Sequence, residues 1–133
     1  MTTIHKSVLY IALNFLGGNL LIFGLISAFS PEFEPSTLTM QLEAKNQLRA
    51  LNGMMAAVGA ISLWCCFDLE NKRQLVRVLG LILFITGLAR TYSLLVDGMP
   101  GFLTSIYLVI EFILALLFLL WPPNGVDSSL NTL

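Results

Sequence analysis

Four apolar runs, parted by short polar or Pro/Gly-containing segments, set the pattern of this chain, at about residues 7–29, 50–67, 74–96 and 102–121. Wound as helices, runs of this length reach across the hydrocarbon of a bilayer, which is roughly 30 Å thick. The pattern predicts an all-α fold, an integral membrane four-helix bundle formed as a single domain over residues 1–133. Residues 1–6 read as a short flank carrying His5 and Lys6. The first run is too long for the apolar part of a signal peptide, and residues 27–29 make a poor cleavage site, so it reads as an uncleaved first helix.

Between runs one and two lies the only long polar stretch, residues 30–48. Pro31 and Pro35 stop the first helix, since each removes an amide donor and restricts its neighbour. Ser36 or Thr37 can cap a new start. Leu38, Met40, Leu42 and Leu48 then predict a short amphipathic helix on the membrane surface that runs straight into span two. In span two, Ala50, Gly53, Ala57 and Ala60 line one face, where small side chains permit tight packing against another helix. Gly17 and Gly24 in span one recur as Gly80 and Gly87 in span three at the same spacing, a weak echo of a repeated hairpin. In span one, Asn14 is expected to hydrogen-bond across to a neighbouring helix. Residues 68–77 read as a tight turn, Gly98, Pro100 and Gly101 as another, and Gly125 opens a polar, mobile tail.

Composition agrees with the pattern. The residues are 56% hydrophobic and only 11% charged, against about a quarter charged in soluble domains. Lysine and arginine fix the orientation: Lys6, Lys72, Arg73 and Arg77 gather on one side, Lys45 and Arg49 on the other. The richer side faces the cytoplasm, so both termini are expected there. A net charge of −1 gives nucleic acid no basic surface to bind. The adjacent Cys65 and Cys66 match no metal spacing and read as packed thiols near a helix end. With His5 the sole histidine, no His-based triad or metal site can be assembled, and no catalytic residue, metal or cofactor is expected.

The remaining chemistry is a set of polar groups inside the spans. Arg90 lies about two turns before the end of span three, where an ionised group costs roughly 3 kcal/mol on insertion scales. Glu111, the only charge in span four, is the expected partner at salt-bridge distance. Asn52 in span two and Asn19 in span one reach similar depths, so each helix offers a polar group to the outer half. Arg49 and Asn46 share a polar face with Asn52, while Asp97 shares one with Arg90 and Ser93 lies beside it. The eight together make a candidate binding site for a lipid head group, a small anion or a partner helix. Two other readings stand beside it: a clamp that only fixes helix register, and a small proton-coupled transporter working through Glu111. Membrane lipid is the expected partner, with a homo-oligomer or a partner membrane protein next.

The motif Gly87-Leu-x-Arg90-x-x-Ser93-x-x-x-Asp97-Gly-x-Pro100, preceded by Asn46-x-x-Arg49 and Gly53 and followed by Glu111, resembles a bacterial domain-of-unknown-function family. Its members are small four-span inner-membrane proteins, and more loosely the chain is similar to four-span proteins of the DoxX kind. The resemblance covers nearly the whole chain and implies a fold and a place in the bacterial inner membrane. It implies no settled biochemical activity.

Overall fold

Where water is scarce, a backbone can satisfy its own amides within one segment only by winding into a helix. A computed structural model describes residues 3–30, 42–98 and 101–123, and they form α1 (Thr3–Phe29), α2 (Leu42–Cys66), α3 (Arg73–Asp97) and α4 (Phe102–Leu120). No strand occurs among the described residues. Helices α1, α2 and α3 are long and apolar enough to cross a membrane. The fourth has 19 residues, about 28 Å of helix.

Only 33%, 28% and 22% of the apolar windows of α1, α2 and α3 are buried within the chain. Ile11, Phe23, Ile85 and Leu95 point outward among many other large apolar side chains. In water such a surface would be an aggregation hazard; hydrocarbon is the solvent that suits it.

The helix limits differ from the sequence pattern at the start of the chain. Helix α1 starts at Thr3, so His5 and Lys6 belong to its first turns and not to a flank. Helix α2 starts at Leu42 and runs through residues 42–48 into span two as expected, while 31–41, the rest of the expected amphipathic segment, lie outside the described residues. The tail from Gly125 lies outside them as well.

The chain forms two compact units, Tyr10–Phe67 and Met1–Leu9 with Asp68–Leu133. In Tyr10–Phe67 the rest of α1 runs antiparallel to α2, and glycine sets how closely they approach. A Cβ on Gly59 would fall 2.5 Å from the Leu21 amide nitrogen and 2.8 Å from the Gly17 carbonyl oxygen. One on Gly24 would fall 2.6 Å from the Ala56 nitrogen and 2.8 Å from the Asn52 oxygen. Both lengths are below any real Cβ contact, so only glycine fits. Two polar bonds fasten the same seam: Ser62 Oγ donates to the Leu13 carbonyl at 3.0 Å, and Asn14 Nδ2 reaches Cys66 Sγ at 3.3 Å. The second is the cross-helix bond expected of Asn14.

The expected packing face of α2 is wrong. Ala50, Gly53, Ala57 and Ala60 are all exposed, and Gly53 has open space where a Cβ would stand. The seam uses Asn52, Ala56, Gly59 and Ser62 instead. A glycine lets two backbones touch, which a stripe dominated by alanine does not, so the Gly17–Gly59 contact decided the face.

In the other unit α3 and α4 are antiparallel. Val76, Leu79, Gly80, Leu83 and Gly87 make the buried stripe of α3, and Leu114, Ala115 and Phe118 that of α4. Gly80 lies over Phe118 and Ala115, and Gly87 over the ring of Phe112, which meets Phe84 edge to face with centroids 6.0 Å apart. The glycine echo noted in the sequence thus has a shared role: in each unit the pair lies on the helix seam. At Gly98, φ is +98°, a conformation that side chains other than glycine's rarely adopt, and there α3 ends. At the far end of this unit His5, 4% exposed, stacks on Trp121 with ring centroids 4.2 Å apart, its Nε2 2.9 Å from the Trp121 carbonyl oxygen. Lys6 pairs with Glu70 at 3.4 Å.

Candidate functional site

The stripe that buries α3 against α4 recurs every three or four residues, and one turn beyond Gly87 it arrives at Arg90. The stripe of α4, read back from Phe118 through Ala115 and Leu114, arrives at Glu111. Each helix therefore places a charge at the continuation of an apolar seam, and the antiparallel register brings the two level. Arg90 Nε lies 3.2 Å from Glu111 Oε2. Gly87 makes the approach close, because any side chain there would press on the ring of Phe112, the neighbour of Glu111.

The pair is unequal. Glu111 keeps 17% of its side chain exposed and Arg90 keeps 41%. The contact is electrostatic and lacks a well-aligned hydrogen bond, since the buried Oε2 accepts none among the described residues. Guanidinium carries five N–H donors in a planar fork, and here its closest approach to the carboxylate is through Nε alone. Neighbouring hydroxyls are occupied with backbone: Thr91 Oγ1 donates to the Gly87 carbonyl at 2.8 Å and Thr86 Oγ1 to that of Ile82 at 2.8 Å. Such back-bonding hides a hydroxyl inside an apolar helix.

Ser93 lies on α3, exposed, three residues past Arg90. Asp97 closes α3, and its side chain lies outside the described residues. The other four candidates belong to the Tyr10–Phe67 unit. Asn52 is 8% exposed, on the α1–α2 seam beside Gly24, and its Nδ2 is buried with no partner among the described residues. Asn19 donates to the Phe15 carbonyl at 2.7 Å, at the edge of a shallow groove of about 380 Å³ along α1 that Asn14 and Phe23 also line. Asn46 and Arg49 are exposed. Among the described side chains of the eight, Arg90 and Glu111 form an ion pair.

The sequence reading overlooked His5. Its signal was the helical register: His5, Leu9, Ala12, Leu13 and Leu16 recur at helical spacing, which continues the buried face of α1 back through the supposed flank. Among the described residues no group of three or more His, Cys, Asp or Glu side chains could hold a metal ion.

Apolar helices of spanning length, with an arginine–glutamate pair set into the seam of one hairpin, belong to the class of α-helical membrane proteins, and the three longest are compatible with a multi-pass chain. Within that class the chain belongs to the family described as Domain of unknown function (DUF4345), whose pattern matches residues 8–122. No curated protein and no solved structure is significantly similar to it.

Proposed function

We propose that this protein is a non-enzymatic, four-span protein of the bacterial inner membrane that binds a polar head group or small anion at Arg90, with Glu111 setting the charge balance. One observation carries the reading. An arginine inside a helix of spanning length faces its carboxylate through Nε at 3.2 Å, with no aligned hydrogen bond and with its side chain 41% exposed. A clamp that only held two helices together would do better with both edges engaged, because bidentate pairing adds strength and geometry. An open guanidinium in hydrocarbon stabilises the chain only when something polar meets it. Phosphate and carboxylate are the groups whose oxygens match the fork.

The transport reading needs a carboxylate that sheds its cation to carry a proton. The 3.2 Å contact with Arg90 speaks for binding.

Native mass spectrometry of purified wild type and Arg90→Gln, each offered phosphatidylglycerol and inorganic phosphate, tests the proposal. Wild type should hold at least one of them about tenfold more tightly than the variant, a difference of ~1.4 kcal/mol. Equal retention would reduce the pair to a structural clamp.

The orientation that supports this reading has both termini in the cytoplasm, given the excess of Lys6, Lys72, Arg73 and Arg77 over Lys45 and Arg49. In a Cys65→Ala/Cys66→Ala background, an impermeant thiol reagent should label Ser36→Cys in intact cells and Ser128→Cys only after lysis. Labelling of both from the same side would contradict it.

A further inference from the structure

Resting on the reading just given, we infer that the Arg90–Glu111 site takes a zwitterion, a phosphate joined to a primary ammonium, as in the head group of an aminophospholipid. Charge is the first ground. The guanidinium and the carboxylate cancel, so the site as a whole has no net attraction for an anion. A ligand bearing both signs meets each side chain with its complement, whereas an anion meets Glu111 with repulsion.

Hydrogen bonding is the second ground. Arg90 offers donors beyond the Nε that faces Glu111, and a phosphate has the oxygens to take them. Glu111 remains partly exposed, and its Oε2, although 3.2 Å from Arg90, accepts no aligned bond. The carboxylate is therefore short of donors. A primary ammonium has three, and a quaternary one has none. The short spacer of an ethanolamine or serine head lets both ends engage two side chains already in contact.

Depth is the third ground, and it favours a lipid over a solute. Tyr92 and Tyr107 are both exposed, each five residues from the end of its helix nearest the α3–α4 turn, counted from Asp97 and Phe102. That is about 7.5 Å along either axis. Tyrosines at one level on neighbouring helices mark the membrane–water interface, where the ring is buried and the hydroxyl wet. Arg90 is two residues deeper than Tyr92 and Glu111 four deeper than Tyr107, about 3 Å and 6 Å. A long arginine spans such a gap by snorkelling toward the phosphates.

Delipidated protein in detergent would be offered phosphatidylethanolamine, phosphatidylcholine and phosphatidylglycerol in equal amounts and bound lipid counted by native mass spectrometry. Wild type should retain phosphatidylethanolamine about tenfold over phosphatidylglycerol, with phosphatidylcholine below the first. Glu111→Gln, which keeps the shape and removes the charge, should erase or invert that ratio. Because the ratio is read within one sample, partial unfolding cannot imitate it. Arg90→Gln should lose all three lipids. Free phosphoethanolamine as competitor distinguishes the sources: no displacement at equal concentration assigns the site to the membrane lipid, and displacement assigns it to the soluble zwitterion. Retention of phosphatidylglycerol at or above phosphatidylethanolamine, abolished by Arg90→Gln, would overturn the zwitterion and leave the anion reading standing. Equal retention by wild type and Arg90→Gln of every lipid would overturn both.

Discussion

Arg90→Ala is expected to destabilise the protein by about 3 kcal/mol in detergent, and the double variant Arg90→Ala/Glu111→Ala by less. The asymmetry follows from exposure. Glu111 is the more buried partner, so removing Arg90 strands a largely buried carboxylate without its cation. Removing Glu111 strands an arginine that is 41% exposed and can turn toward the interface. Glu111→Ala alone should therefore cost only about 1 kcal/mol. A double-mutant cycle read by denaturant or thermal unfolding should give a coupling of at least ~1 kcal/mol, and additive losses would mean that the 3.2 Å contact contributes nothing.

Gly59→Val should disrupt the α1–α2 hairpin, with a loss of about 3 kcal/mol at the upper end of overpacking costs. The added atoms would meet backbone, the Leu21 nitrogen and the Gly17 oxygen, and backbone in a packed helix cannot swing aside. Gly24→Val should act alike through Ala56 and Asn52. Gly53→Ala is the control: nothing lies within 4 Å of a Cβ there, so it should be neutral or stabilise by up to about 1 kcal/mol through helix propensity. Measured unfolding midpoints that place Gly53→Ala with Gly59→Val would return the packing face to the alanine stripe.

Those two faces of α2 show where the sequence could and could not be read. Helix number and type were legible because long apolar runs admit little else in hydrocarbon. The Arg90–Glu111 contact was legible because Glu111 is the only charge in its apolar run and Arg90 the only one in its own run past Arg77 at the entry, and depth along a helix is simple arithmetic. The choice between stripes of small residues was not. It depends on which glycine meets which backbone, a pairwise fact that single-helix periodicity does not contain. His5 was missed for a related reason: a charged neighbour, Lys6, made the first turn look like a flank, yet helical register carries His5 onto Trp121 at 4.2 Å, 116 residues away in the chain. Of the remaining polar candidates, Asn19 and Asn52 were grouped by depth, and Asn46 and Arg49 by the face they share with Asn52; neither depth nor a shared face says which unit a residue packs in.

The most direct test of the Arg90 site is an experimental structure of the protein grown from a lipid mesophase doped with phosphatidylethanolamine. Phosphate density within hydrogen-bonding distance of the Arg90 fork, beside a Glu111 still in contact with Nε, is the expected result. A guanidinium turned to hold Glu111 through two nitrogens, with hydrocarbon and no polar density against its outer edge, would contradict it.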